Sequence, residues 1–134
     1  MISEVIALLD PVAGITTRQA ISLESVLDDE QQSLQLPVWY VHPLQERAGG
    51  NQISTLATRQ SVEVQFVVIT VCTFADLPTW RDELFGALHG KVLDTSRHLS
   101  ETEFLQGDVV DVTATAIWWR DVFSYRIERR TSGV

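Results

Sequence analysis

The chain has one cysteine, Cys72, in 134 residues. No internal disulfide can form and no thiolate-rich zinc site can be built. Lysine occurs once, at Lys91, and the 10 basic residues face 18 acidic ones, for a net charge of −8. That shortage of positive charge argues against nucleic-acid binding as the main task. No apolar run approaches the roughly 20 residues that a membrane helix needs. The opening MISEVIALLD has no basic stretch and carries Glu4 among its apolar residues, so it does not read as a signal peptide. A soluble protein of the cytosol is the expectation from these absences.

What is present is ordinary for a globular domain. Apolar residues make up 45% and charged residues 21%, and a chain of this length can bury roughly two-thirds of its unfolded surface. A single domain over 1–134 is predicted, with a flexible tail at 129–134. Ile2, Val5, Ile6 and Leu9 predict a short N-terminal helix that Asp10-Pro11 ends. Residues 15–27 mix strand and helix signals, with Ser22 as a helix cap, and Asp28-Asp29-Glu30-Gln31 reads as a solvated polar face. A strand over 36–44 is bracketed by Pro37 and Pro43, with Val38, Tyr40 and His42 on one face and Trp39 and Val41 on the other. Residues 45–57 have no periodicity and include Gly49-Gly50, which predicts a long flexible loop.

The clearest element lies at about 58–73. Val62, Val64, Phe66, Val68 and Thr70 first alternate with polar residues, then with Val67, Ile69 and Val71. A strand of this kind starts half-exposed and ends covered on both faces. An amphipathic helix follows at about 79–93, capped by Asp76, with Trp80, Leu84, Phe85, Leu88 and Val92 as its apolar stripe. Residues 103–111 read as two short strands joined at a turn, Gly107-Asp108, and 113–129 as a second long strand. The fold class expected is α+β, a mostly antiparallel sheet whose two long strands pair under the amphipathic helix and the N-terminal helix.

Chemistry is thinly represented. His42, His89 and His98 show no ligand spacing, and Cys72 sits in an apolar strand. Asp108, Asp111 and Asp121 have strand and turn spacing, and no nucleophile elbow or phosphate loop is present. No catalytic, cofactor or metal site is therefore assigned. Two features stand out instead, the Gly-rich stretch after Glu46-Arg47 and the tandem Trp118-Trp119. Adjacent strand residues face opposite ways, so the two indoles lie either in a sheet covered on both sides or partly in an inter-subunit face.

These two places also carry a resemblance. Pro43-Leu44, Glu46-Arg47-Ala48-Gly49-Gly50-Asn51, Arg59-Gln60 and the apolar strand Val62 to Val71 resemble the core of the phage tail terminator-like proteins. So do the Leu-rich stripe from Leu84 to Leu93, Gly107 and Trp118-Trp119-Arg120-Asp121-Val122-Phe123, so that the likeness spans about 37–128. The sequence departs from the family pattern at Gln52-Ile53, where Arg-Leu is frequent, and at Arg120, where Gln is frequent. The resemblance implies a structural virion protein without enzymatic activity or cofactor. Such a protein is located at the head-proximal end of the tail and assembled in the bacterial host cytoplasm. It implies a homo-oligomeric ring, a hexamer, that caps the tail tube, stops its growth and offers the head-tail joining surface. The implied partners are further copies of the chain, the tail-tube protein and a connector or neck protein, with DNA only as passing cargo and no membrane. Subunit or tube contacts are expected at Arg47, Ala48, Gly49, Gly50, Asn51, Gln52 and Ile53, at Arg59, and at Trp118 and Trp119, with Arg47 and Arg59 as polar anchors. The alternatives are another neck or head-completion adaptor, or a small ligand-binding or enzymatic α+β domain.

Overall fold

A computed structural model describes residues 2–32, 36–53, 57–93 and 100–132, with side chains described at 2–27, 36–47, 62–93 and 100–127. The element order is α1 (Ile2–Leu9), β1 (Thr16–Gln19), α2 (Leu23–Gln32), β2 (Val38–Ile53), β3 (Ala57–Cys72), a 3-10 turn at Phe74–Asp76, α3 (Leu77–Leu88), β4 (Glu103–Val112) and β5 (Ile117–Ser132). The strands form one sheet in the order β1-β2-β3-β5-β4. Every neighbouring pair is antiparallel except β1 with β2. The chain is thus α+β with a mostly antiparallel sheet, and β3 is its middle strand.

The alternation of β3 sorts the core into two layers. Val62, Phe66 and Val68 pack with Trp39, Val41, Phe123 and Tyr125 on the face that meets α1 through Val5 and Leu9 and α3 through Leu84 and Leu88. Val67, Ile69 and Val71 pack on the opposite face with Val38, Tyr40, Val122 and Val26 of α2, and Trp118 lies against them. The N-terminus of α2 is held by a reciprocal cap. The Ser25 amide donates to Ser22 Oγ at 3.3 Å and the Ser22 amide donates to Ser25 Oγ at 3.2 Å.

Several boundaries differ from expectation for identifiable reasons. Pro43 does not stop β2. Val41 directs its carbonyl at β1, accepting from the Ala20 amide, so two residues on the missing N–H of Pro43 faces the side where β1 has already ended. The register slips between Pro43 and Gln45, leaving Leu44 as an unpaired bulge residue. The stripe helix ends at Leu88, five residues early, because Gly90 turns into the left-handed region at φ 75°. Asp76 occupies the cap position without capping, since its carboxylate accepts the Thr73 hydroxyl at 3.0 Å. Residues 103–111 are not a hairpin but part of one strand, β4, bulged between Phe104 and Gln106 and between Val109 and Asp111. The last strand starts at Ile117, after a turn in which the Thr113 amide donates to the Ala116 carbonyl. It continues past the predicted boundary at 129, pairing Ser132 with Ala57.

Candidate functional site

The Gly-rich segment is the largest departure from expectation. Residues 45–53 are not a loop but the outer half of β2, paired with β3 as Arg47↔Glu63, Ala48↔Val62, Asn51↔Gln60, Gln52↔Arg59 and Ile53↔Thr58. Gly49-Gly50 supply the register slip between Ala48 and Asn51, a place where residues without a Cβ let the backbone bend. The aperiodic composition misleads because the pairing here follows from the backbone ladder with β3 and not from an apolar/polar alternation in the sequence. β5 joins on the other side, with Ser61↔Glu128, Gln60↔Arg129 and Arg59↔Arg130. The result is a three-stranded arm. It gathers Arg47, Arg59, Arg126, Arg129 and Arg130, half of the basic residues of a chain of net charge −8. Arg47 is exposed.

The tandem tryptophans divide between the two layers. Trp118 lies half-buried in the α2 layer. Trp119, on the α3 side, takes part in a half-buried polar cluster around a buried carboxylate. Its Nε1 donates to Asp121 Oδ1 at 3.0 Å. Arg81 of α3 clamps the same carboxylate, with Nε to Oδ2 at 3.2 Å and a terminal nitrogen to Oδ1 at 2.8 Å. The Arg81 guanidinium also lies over Trp119 at 4.9 Å and Phe85 at 5.1 Å from the ring centres. Asp121 is fully buried, so this ion pair is what makes the carboxylate tolerable inside the fold. Gly107 is its cross-strand neighbour. A Cβ there would come within 2.7 Å of Asp121 Oδ1 and 3.0 Å of Trp119 Nε1. Gly107 is thus required for clearance inside a strand, not for a turn. The Trp-x-Asp alternation on one strand face was the available signal for this cluster, but nothing in the sequence singled out Arg81.

The residues considered for catalysis are committed elsewhere or apart. Asp121 belongs to Arg81. Asp108 is paired with Arg120, with contacts of 2.9 and 2.6 Å, and the hydrogen bond from Arg120 holds its carboxyl below the usual range. Cys72 is buried, and burial, with Asp76 adding to it, pushes its thiol up to about 11, the reverse of an activated nucleophile. His42 is buried with Nδ1 at 2.9 Å from the Pro43 carbonyl, and His89 is exposed at the end of α3. His98 and the side chains of Asp28, Asp29, Glu30 and Gln31 lie outside the described residues. Among the described residues, no three His, Cys, Asp or Glu side chains come together as a metal site.

Residues 19–132 match the sequence model of a family described as phage tail terminator protein. The chain belongs to the phage tail terminator family. Membership makes it a structural protein of the virion tail. None of the curated proteins matches the chain. Among solved structures it is similar to a chain from the virion of a native gene transfer agent particle, with a TM-score of 0.63 and 19% identity. That likeness covers 96% of this chain and 95% of the other, so the two folds agree almost end to end.

Proposed function

We propose that this tail terminator assembles as a ring, a hexamer, on the last tier of the tail tube, stops tube growth there and presents the surface that joins the head. The family match across 19–132 carries the reading. The partners are further copies of the chain, the tail-tube protein and a neck protein on the head side, with the virion DNA only passing through. The contact surface is the three-stranded arm, with Arg47, the 48–53 segment and Arg59 against a neighbouring subunit or the tube. A concentration of arginines on an acidic protein suits an acidic partner surface, where guanidinium groups bind carboxylates in a forked geometry. Trp118 and Trp119 lie at the opposite end of the sheet from the arm, paired with Asp111 and Val109 of the edge strand β4, and belong to a second contact region there.

Tail length in particles assembled without the protein tests the reading, by electron microscopy. Overlong, headless tubes are the expected result. Tails of normal length that fail to join heads would make the protein a neck adaptor, and intact virions would overturn both.

A further inference from the structure

The two edges of the sheet are built to meet. β1 stands at one edge and β4 at the other. Following the pairings strand by strand gives four level rows. Thr16 is level with Asp111, Thr17 with Val109, Arg18 with Asp108 and Gln19 with Gly107. The rows rise in β1 as they fall in β4, so the two edges are antiparallel to each other. A second copy placed beside the first, with no shift along the strands, would therefore continue the sheet in the ordinary antiparallel sense.

Three further observations favour that join. The Thr16 and Ala20 amides donate inward to Pro37 and Val41, so by alternation the N–H and C=O groups of Thr17 and Gln19 face the open edge. On β4 three of the four level residues, Gly107, Asp108 and Val109, lie in the regular stretch between two bulges, and Asp111 lies just beyond the second. Bulges normally protect an edge from strand addition. Here they confine addition to one short window and so to one register. The third observation is chemical. β4 offers Val109 and Val112 at 49% and 50% exposure, and the chain just past the β1 edge offers Ile21 at 86% exposure, apolar side chains that a neighbouring copy would cover.

We infer that β4 of one copy adds to β1 of the next, joining the sheets of successive subunits edge to edge. The two patches differ, so the contact is head-to-tail, the type that closes into a ring. The inference rests on the proposed self-assembly but not on the number of copies.

Cross-linking in assembled tails tests it. Thr16→Cys and Asp111→Cys are combined in the full chain, both sites being exposed and Cys72 being buried. Terminated tails carrying this variant are treated with a short bis-maleimide and run on a denaturing gel. A ladder of dimers and higher multiples is expected from the double variant and monomer alone from each single one. Normally terminated tails that yield only monomer would overturn the edge contact and leave the terminator reading intact, which tail length judges separately. Should the double variant fail to assemble, Val109→Lys decides. It places a charge on the open edge and is expected to leave the isolated chain folded. It should cut terminated tails about tenfold or more, because the lost contact repeats at every subunit. Wild-type numbers of terminated tails with this variant would also overturn the proposal.

Discussion

The same three strands behave differently in their two halves. Between Gln65 and Cys72, β3 is buried on both faces, under α1 and α3 on one side and α2 on the other. Between Ala57 and Ser61 it keeps its pairings with β2 and β5, but its sequence, ATRQS, has no large apolar residue to feed a core layer. The first half is held by side-chain burial, at roughly 25 cal/mol per Å² of apolar surface. The arm carries a backbone ladder, whose net contribution per hydrogen bond is small. A fold can therefore carry a polar, arginine-rich extension beyond its core without that extension having to supply its stability.

The two halves should differ most in what a substitution costs. Leu84→Ala, at a fully buried site of the α3 layer, should cost ~2–5 kcal/mol in urea unfolding. Replacing 48–51 by serines should change unfolding by less than ~1 kcal/mol yet stop assembly on tubes. An arm variant as destabilised as Leu84→Ala would show that the two halves fold as one core. Next in size is the cluster beneath α3. Asp121→Ala leaves Arg81 without its buried partner and should cost about 3 kcal/mol. Gly107→Ala forces a Cβ into the same carboxylate and should cost ~1–3 kcal/mol. The double variant should cost less than the sum, since removing the carboxylate makes room for the methyl group. Strict additivity would separate Gly107 from the cluster. The smallest effect belongs to the surface pair. Arg120 holds the Asp108 carboxyl below its ordinary value of 3.8, so the folded chain binds that proton less readily than the unfolded one. The stabilisation, under about 1 kcal/mol, is whole above that ordinary value and fades as pH falls through the lowered one. The stability gap between wild type and Asp108→Asn should close over that acid range.

What the sequence made legible follows the same division. Where a residue's neighbours are a core, periodicity reports them. Val67, Ile69 and Val71 announced a strand covered on both sides, and the alternation of Trp39 and Val41 with Val38 and Tyr40 assigned each to its layer. Where the strand leaves the core, the period loses its cause, and Gly49-Gly50 reads as a loop when it is a bulge. Gly107 misleads for a related reason. A glycine next to an aspartate signals a turn locally, whereas here the demand comes from a carboxylate on the neighbouring strand and an arginine 40 residues before it. The match between the two sheet edges is the least legible, because it depends on the register of all five strands and leaves no mark on the alternation of either edge. Only the level rows of the finished sheet set Arg18 opposite Asp108.

The clearance over Gly107 has a mechanical side. One carboxylate touches the edge strand's backbone on one side and the guanidinium of α3 on the other. The edge strand and the helix thus share a single linchpin at Asp121. A load applied to β4, such as the pull of a strand added along it, would be passed to α3 through that joint, 40 residues away in the chain and one side chain away in space.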